Sequence, residues 1–315
     1  MAKIDYWDLK GRPHTKLKLE IYRKYLNSWC TIFSAQKYYE EIYIVDCFAG
    51  RGWYDDYEDK KSDGSPLIAV KAAKEFQERF QRMPVKNKKD FKIKCIFIEN
   101  NEEFCNSLEQ ILSEYRPYVD IKIIHDDFNK YIPGLIKEIG YKPALFFIDP
   151  YGIKALKRES VLKIVQKPGA RDILLNYINE GVVRIKGLAQ KHCKKDCAEI
   201  KIKELKTVKN LYDFLGPEVK NFIDKSSLEL LKYYVDNILM TNEGVDPKNK
   251  LEVIAFDMPY PHKCDTIYYL IFASRNKNAI KVVRQVYAKS KSEGFSQQSL
   301  FGPKEQSKLN KDFKV

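Results

Sequence analysis

A buried strand that ends in an acid and a glycine-containing loop constrains the fold of this chain more than any other feature. The segment IYIVDCFAGRG, from Ile42 to Gly52, opens with β-branched and aromatic residues, which is typical of a parallel strand buried on both faces. The strand ends at Asp46, and the loop after it contains Gly50 as well as Gly52. Because glycine has no Cβ, a ligand can approach the backbone closely there. The segment therefore predicts a doubly wound α/β sheet with a nucleotide-like ligand at the carboxyl end of its first strand.

The chain around this segment alternates between strand patterns and helix patterns. The predicted strands are 42–46, 91–99, 121–124, 144–148, 172–177, 251–258 and 266–273. The predicted helices are 17–33, 65–80, 102–115, 128–139, 159–165 and 278–289. Strands that alternate with helices across short turns predict a mostly parallel sheet with right-handed crossovers. The last two strands follow each other closely, which predicts an antiparallel pair at the edge of the sheet.

The pattern changes between the fifth and the sixth predicted strand. Residues 187–244 are rich in lysine and show helical spacing without a strand pattern, so we predict a helical insertion there. The sheet domain, with its N-terminal helix, then comprises residues 1–186 and 245–290. Residues 291–315 are polar and rich in lysine, and we expect them to form a flexible tail. Because the insertion follows a strand end, we expect its lysines to overhang the ligand site and to contact a polyanion.

Charge and composition narrow the class of protein. Lysine and arginine number 56 against 43 aspartate and glutamate residues, a formal net charge of +13, which favours nucleic acid as a partner. A proteome that is generally rich in lysine would produce the same charge. The sequence contains neither a run of about 18 apolar residues nor a signal-peptide core, so we expect a cytoplasmic protein without a membrane span. Cys47 and Cys95 fall in predicted strands, where we expect reduced core thiols.

Acidic residues follow the predicted strands at the edge where a ligand would bind. They are Asp46, Glu99, Asp127 and Asp149. Any one of them could instead cap the helix that follows its strand. Glu99 can accept both hydroxyls of a ribose. Asp127, in the sequence HDDFN, can accept an adenine amino group with Phe128 beside the ring, although Asp126 competes for this role.

Two of these segments resemble motifs of class I S-adenosylmethionine (AdoMet) methyltransferases. DCFAGRG at 46–52 resembles their motif I, particularly that of enzymes acting on nucleic acids, and no phosphate-binding P-loop sequence occurs. DPYG at 149–152 resembles the D/N-P-P-Y/F motif of amino methyltransferases without its second proline, and looks closer to guanine-N2 than to adenine-N6 enzymes. The resemblance implies AdoMet as the cofactor, bound by Asp46, Phe48, Ala49, Gly50, Gly52, Glu99, Asp127 and Phe128.

The DPYG segment has the residue types that methylation of an exocyclic amine requires. The amine lone pair must point at the sulfonium methyl group, and two acceptors of the N–H bonds hold it there. Asp149 would supply one acceptor and the carbonyl of Pro150 the other, while Tyr151 would stack on the base. A simple Asp-Pro turn is the alternative. We therefore predict an enzyme that methylates a base of DNA or RNA, with a catalytically weak module that binds nucleic acid or cofactor as the alternative.

Across most of its length the chain resembles the three-Cys-motif partner proteins of bacteria and archaea. The segments that carry the resemblance are PHTKLKLEIYRKYLNSW (13–29), VDCFAGRG (45–52), GSPLIAV (64–70), FFIDPYG (146–152) and YYLIFASRN (268–276). The resemblance implies a methyltransferase-like fold. It also implies a protein partner, a radical-AdoMet-type neighbour of the Gp37/Gp68 group. His14, in the first segment, would line the pocket or serve a structural role.

Two further motifs have simple alternatives. Gln297 to Phe301 (QQSLF) resembles the peptide with which bacterial DNA proteins bind the sliding clamp, but Leu300 and Phe301 could equally close a hydrophobic edge of the domain. Cys193 and Cys197 have a spacing that metal sites use, yet a fourth ligand would be remote, so we predict no metal.

Overall fold

The structure is a computed structural model that describes residues 12–36, 38–56, 60–82, 91–193, 202–216, 219, 222–259 and 266–292. Its helices are α1 (Pro13–Ser34), α2 (Ser65–Arg82), α3 (Glu102–Leu112), α4 (Phe128–Ile139), α5 (Arg158–Val165), α6 (Asn179–Cys193), α7 (Ile202–Leu215), α8 (Ser227–Tyr234) and α9 (Lys277–Ser292). Its strands are β1 (Glu41–Asp46), β2 (Trp53–Asp55), β3 (Lys61–Asp63), β4 (Lys92–Glu99), β5 (Asp120–His125), β6 (Ala144–Ile148), β7 (Arg171–Tyr177), β8 (Glu252–Pro259) and β9 (Thr266–Ser274).

The main sheet has seven strands in the order β5-β4-β1-β6-β7-β9-β8. Neighbours from β5 to β7 pair in parallel, whereas β9 is antiparallel to both β7 and β8. The predicted doubly wound, mostly parallel sheet with an antiparallel edge is confirmed, and its order is that of a class I methyltransferase-like fold. The direction of winding reverses between β1 and β6. In open α/β sheets such a reversal creates a crevice at the carboxyl ends of the strands.

The middle strands of the sheet are buried because helices cover both faces, whereas β5 at one edge keeps exposed polar residues. Along β6, Leu145 and Phe147 point to the face covered by α1, α2, α3 and α9, while Phe146 and Ile148 point to the face covered by α4 to α8. A strand buried on both sides has no polar face, which accounts for the uninterrupted sequence ALFFI. The alternation of side chains along this strand divides the core into two layers, one on each face of the sheet.

Helices α6, α7 and α8 extend the core on one face of the sheet. Helix α6 begins at Asn179, directly after β7, so the predicted start of an insertion at residue 187 falls inside this helix. The ring of Tyr177 at the end of β7 packs against Phe214 of α7 and Tyr234 of α8, with ring centroids 5.5 and 5.3 Å apart. Because these rings are fully buried, the three helices are anchored to the end of the sheet where the crevice lies.

A hairpin that the sequence analysis did not predict interrupts the connection from β1 to α2. Strands β2 and β3 pair in antiparallel fashion. The chain enters the hairpin at Gly52 and leaves it at Gly64, where the Gly64 N–H donates to the Gly52 carbonyl at 2.9 Å. A Cβ at Gly64 would lie 2.6 Å from that carbonyl oxygen, so the close approach requires glycine. Helix α2 begins at the next residue, Ser65.

Two expectations from the sequence concern membrane-spanning helices and buried cysteine thiols. None of the helices within the described ranges has the length and apolarity to cross a membrane. Cys47 and Cys95 are buried free thiols, as predicted from their positions in strands, and Cys30 and Cys105 are buried as well. Burial raises the pKa of Cys30 to about 12, so this thiol stays protonated at neutral pH and acts as an apolar core residue.

Candidate functional site

A cavity of about 300 Å³ opens beside the ends of β1, β6 and β7. From the loop after β1, its lining includes Phe48, Ala49 and Gly52; from the segment after β6, Asp149, Pro150, Tyr151, Gly152 and Ile153; from the end of β7 and beyond, Asn176, Ile178, Glu180, Gly181 and Arg184. The cavity therefore joins the predicted cofactor loop to the predicted catalytic segment, at the reversal point of the sheet.

Asp149 lies at the centre of a buried ion pair that the sequence analysis did not predict. Its Oδ2 accepts from the ammonium of Lys18 on α1, and its Oδ1 accepts from the amide Nδ2 of Asn176 at 2.7 Å. The side chains of Lys18 and Asp149 are 5% and 17% exposed. Lys18 also lies 5.5 Å from the ring centre of Tyr268. Hydrogen bonds between charged groups are strong, so the orientation of the carboxylate is fixed and its charge is balanced.

Pro150 and Tyr151 of the DPYG segment line the same cavity. Pro150 has no N–H, so its peptide unit offers the cavity only an acceptor. The side chain of Tyr151 is half exposed, which leaves ring surface available for stacking. Together with Asp149, the segment supplies two oxygen acceptors and an aromatic ring around one space.

Asp46, at the end of β1, is completely buried and has an unsatisfied oxygen. Its Oδ1 accepts from the Phe48 N–H at 3.2 Å, whereas Oδ2 has no hydrogen-bond partner among the described residues. Burial raises the pKa of Asp46 to about 7, and the negative charges of Asp149 and Glu99 add to this rise. Hydrogen bonds from Phe48 and Ser65 oppose it. A buried carboxyl oxygen without a partner points to a group that the described part of the chain does not supply.

The raised pKa of Asp46 predicts how stability depends on pH. Between the usual value of 3.8 and about 7, the folded protein keeps a proton that the unfolded chain has lost, so the free energy of unfolding falls as pH rises. We expect Asp46→Asn, which keeps an acceptor for Phe48, to remove this fall. The free energy of unfolding of this variant, relative to that of wild type, should rise by on the order of 2–4 kcal/mol between about pH 5 and about pH 8. Urea unfolding at several pH values measures it; parallel pH dependences of the two proteins would contradict the assignment.

Glu99 links the loop after β1 to the start of α3. Its Oε2 accepts from the Gly50 N–H at 2.8 Å and its Oε1 accepts from the Asn101 N–H at 2.9 Å. The residue is 3% exposed and each carboxylate oxygen keeps a further lone pair. Gly50 has a φ of 63°, which favours glycine, so the carboxylate holds the loop in a conformation that other residues adopt with strain.

Asp127 and Phe128 follow β5 and, like Asp46, Gly50 and Glu99, do not line the cavity described above. The Asp127 carboxylate caps α4, because its Oδ1 accepts from the N–H groups of Asn129 at 2.9 Å and Lys130 at 3.3 Å. Phe128 is 2% exposed and its ring packs against Phe48 at 5.0 Å. The sequence left open whether Asp127 caps a helix or binds a ligand, and in the structure it caps α4. Phe128 packs against Phe48 of the loop after β1.

The hairpin adds two aromatic side chains to the cavity wall. Trp53 and Tyr54 both line the cavity. The guanidinium carbon of Arg51 lies 3.7 Å from the ring centre of Trp53, and the ammonium of Lys61 lies 3.8 Å from it. Cation–π contacts of this kind hold charge and ring together. Asp55 accepts from Arg51 at 2.6 Å, so the aromatic cluster next to the predicted cofactor loop carries charges of both signs.

His14 packs against Tyr268 of β9 at the start of α1. Its carbonyl accepts from the Tyr268 hydroxyl at 2.9 Å, and the two rings lie edge to face at 5.7 Å. Burial, with the neighbouring positive charges of Lys18 and Arg12, lowers the pKa of His14 to about 4. The imidazole is therefore neutral at physiological pH, and it fixes the start of α1 against β9.

The sequence analysis did not predict that Lys18, Asn176 and the hairpin belong to the site. For Lys18 a signal existed: it precedes Tyr22 by one helical turn and so continues the buried face formed by Tyr22, Tyr25 and Trp29. A lysine on such a face requires a buried partner. Asn176 gave no comparable signal, since an amide at a strand end is common. Among the described residues, no group of His, Cys, Asp and Glu could hold a metal ion; Cys197 lies outside them.

No protein-family model and no curated protein matches this sequence. Among solved structures, the chain is similar to the protein LPL1258 from Legionella pneumophila, with 9% identity and a TM-score of 0.47 over 92% of this chain and 95% of that chain. It is also similar to the DszA carbon methyltransferase, with 11% identity and a TM-score of 0.37 over 78% of this chain and 50% of that chain. A third is a SAM-dependent O-methyltransferase from Thermotoga maritima, with 12% identity and a TM-score of 0.29 over 79% and 63%.

Proposed function

We propose that this chain is an AdoMet-dependent methyltransferase that modifies an exocyclic amine of a nucleic-acid base. One observation carries the proposal: a single cavity is lined both by the loop after β1 and by Asp149, Pro150 and Tyr151. A methyl donor and a methyl acceptor must meet in one space, and these two segments border the same cavity. The mostly parallel sheet, wound as in methyltransferase-like folds, supports the same reading.

The residues around the loop after β1 fit a nucleoside cofactor with a charged tail. AdoMet, when bound, supplies an electrophilic methyl group on a sulfonium centre. The unsatisfied Oδ2 of Asp46 would accept from a cationic or hydroxyl group, and the buried Glu99 carboxylate has lone pairs for ribose hydroxyls. Gly50 and Gly52 leave the loop without side chains where the cofactor would approach.

The residues after β6 fit an amine held for methylation. Asp149 would accept one N–H bond of the amine and the Pro150 carbonyl the other, so that the nitrogen lone pair points away from both. Tyr151 would stack on the base, which in duplex substrate must first be flipped out of the helix. Arg184 of α6 lines the same cavity, and the net charge of +13 favours a polyanionic substrate. We propose that α6 and the lysines after it contact the nucleic-acid backbone.

Two measurements test the proposal in sequence. Calorimetry with AdoMet and with S-adenosylhomocysteine tests cofactor binding, and the absence of both heat and thermal shift at millimolar ligand would refute the proposal at its first step. Incubation with methyl-labelled AdoMet and separate pools of DNA, transfer RNA and ribosomal RNA then identifies the substrate. Label that reaches one nucleic-acid pool supports methyl transfer, whereas label in protein alone rejects nucleic acid as the acceptor.

The two hydrogen bonds of Glu99 to the loop predict a specific binding defect. We expect Glu99→Ala to weaken AdoMet binding by about 1–3 kcal/mol, because it removes an acceptor of ribose hydroxyls and releases Gly50. Glu99→Gln is the matched variant, since it keeps the size of the side chain and one acceptor oxygen, and it should bind more tightly than Glu99→Ala. Calorimetric titration measures both. Equal affinity of Glu99→Ala and wild type would remove Glu99 from the cofactor site.

A second candidate function is a binding module that presents nucleic acid or cofactor to another enzyme. The observation that favours it is the ion pair: both oxygens of Asp149 already accept from side chains of this chain, Lys18 and Asn176. The resemblance to three-Cys-motif partner proteins supplies a candidate enzyme, the radical-AdoMet-type neighbour. Nucleic-acid binding without methyl transfer, in the absence and presence of that neighbour, would favour this candidate. The clamp-like peptide Gln297 to Phe301 lies outside the described residues, and the sliding clamp stays a predicted partner.

A further inference from the structure

Lys18 and Asn176 carry hydrogen-bonding capacity that the described part of the chain leaves unused in the cavity. The Lys18 ammonium has three N–H bonds and donates one to Asp149; among the described residues, no other oxygen accepts from it. Asn176 donates its Nδ2 to Asp149, and its Oδ1 has no partner among the described residues although Asn176 is only 8% exposed. Buried donors and acceptors without partners are costly, so these atoms point to a ligand.

The unused atoms form a defined pattern around Asp149. The Nδ2 bond to Asp149 fixes the amide of Asn176, so its Oδ1 is an acceptor. Lys18 contributes a donor, and Asp149 contributes a further acceptor lone pair. A complementary ligand must therefore present N–H donors with a hydrogen-bond acceptor directly beside them. All three side chains line the same cavity, next to the half-exposed ring of Tyr151.

We propose that Lys18, Asp149 and Asn176 together recognise the edge of an amino-substituted heterocycle: Asp149 accepts one N–H bond of the amine, the Oδ1 of Asn176 shares the other with the Pro150 carbonyl, and Lys18 donates to the adjacent ring nitrogen. This inference rests on the proposed function and makes Lys18 a specificity-determining residue of that site. The amino groups of adenine, cytosine and guanine each have a ring-nitrogen acceptor beside them, so all three fit. Thymine and uracil have no exocyclic amine and do not fit.

The charge of Lys18 excludes a different class of substrate. An aliphatic amine, such as a protein lysine or a polyamine, is protonated at neutral pH and has no acceptor beside it. Lys18 already neutralises the Asp149 carboxylate, so the pair gives such a cation no net electrostatic attraction to offset the loss of its hydration. A base amine is neutral and has no comparable hydration to lose. The ion pair thus favours nucleobases over protein amines as methyl acceptors.

Nucleotide binding by the full chain loaded with S-adenosylhomocysteine tests this inference, with one atom of the ligand and one residue of the protein changed separately and together. AMP, CMP and GMP are titrated by ligand-observed NMR, and the tightest binder is compared with its deaza analogue, in which carbon replaces the ring nitrogen next to the amine. For wild type we expect the analogue to bind roughly tenfold to a hundredfold more weakly, since a hydrogen bond to a charged donor is lost. Lys18→Met should bind the parent nucleotide and the analogue with equal, weakened affinity.

Lys24→Met is the matched control, because it removes a lysine from the same helix. Lys24 contacts Ser290 and does not line the cavity, so this variant should discriminate as wild type does. If Lys18→Met does not fold, the charge-neutral variant Lys18→Met/Asp149→Asn takes its place, with the same loss of discrimination expected.

Three results would overturn the inference: equal affinity of wild type for nucleotide and analogue, discrimination that persists without Lys18, or no nucleotide binding at millimolar concentration. Methyl transfer to nucleic acid in the same preparation would leave the proposed function standing, while failure to bind AdoMet would refute that function separately.

Discussion

Asp149→Asn is expected to lower the rate of methyl transfer by roughly 100- to 1,000-fold while leaving the affinity for AdoMet nearly unchanged. Lys18 and Asn176 position the carboxylate in the absence of substrate, so in the proposed reaction it would stabilise the positive charge that develops on the amine without reorganising. Asparagine has the same shape but lacks the charge, and Lys18 then faces the amine without a counterion. Single-turnover kinetics with saturating AdoMet measure the chemical step, and calorimetry measures the affinity.

The control for this prediction is Asp120→Asn, a change of the same type at the exposed start of β5, away from the cavity. It should leave both the rate and the affinity unchanged. Undiminished turnover by Asp149→Asn would mean that another group accepts the N–H bond. A parallel loss of AdoMet affinity and of thermal stability would instead assign Asp149 a structural role.

Gly64→Ala is expected to lower the free energy of unfolding by roughly 3 kcal/mol and to abolish measurable AdoMet binding. The new Cβ would lie 2.6 Å from the carbonyl oxygen of Gly52 and 2.7 Å from its carbonyl carbon. These are backbone atoms, so no flexible side chain can move aside, and the loop after β1 must shift. Because Gly52 belongs to that loop, the displacement reaches the cofactor site directly. Urea unfolding and calorimetry measure the two effects.

The same substitution at Gly134 is expected to have the opposite effect on stability. Gly134 lies inside α4, and a Cβ there would meet nothing within 4 Å. Alanine in a helix interior is better than glycine by about 0.5–1 kcal/mol, so this variant should be slightly more stable and bind AdoMet normally. If Gly64→Ala were as stable as Gly134→Ala, the contact between Gly64 and Gly52 would not constrain the loop.

The main sheet could be predicted because its signals are local. The bounds of α4 and β6 agree with the sequence prediction to the residue: Asp127 caps the helix, Gly140 follows its end, and an uninterrupted apolar strand begins after Pro143. The mostly parallel pairing could be predicted from the alternation of strands and helices, since crossover connections are right-handed. The order of the strands within the sheet was not predicted. The hairpin escaped prediction because its strands are three residues long, too short for an alternating pattern.

The site was harder to predict because its contacts are distant in sequence. The DPYG segment and the loop after β1 carry recognisable motifs, and the structure brings both to one cavity. The partner of Asp149, however, lies 131 residues away on α1, and no local pattern connects the two. Asp127 shows the converse difficulty: an acid after a strand has the same local sequence whether it caps a helix or binds a ligand.

The junction between Gly52 and Gly64 has a consequence for how this site can change over evolutionary time. The chain leaves and rejoins the sheet domain at one backbone hydrogen bond, which keeps the loop after β1 and α2 in register whatever side chains lie between the two glycines. Asp56 and Asp63 also pair with Lys16 of α1 and Lys71 of α2, and Tyr54 packs on the core, so these positions are constrained. A substitution of Trp53, or of Lys61 beside it, would change one wall of the cavity and leave Asp149, Pro150 and Tyr151 unchanged, so this is the part of the site that can vary most freely over evolutionary time.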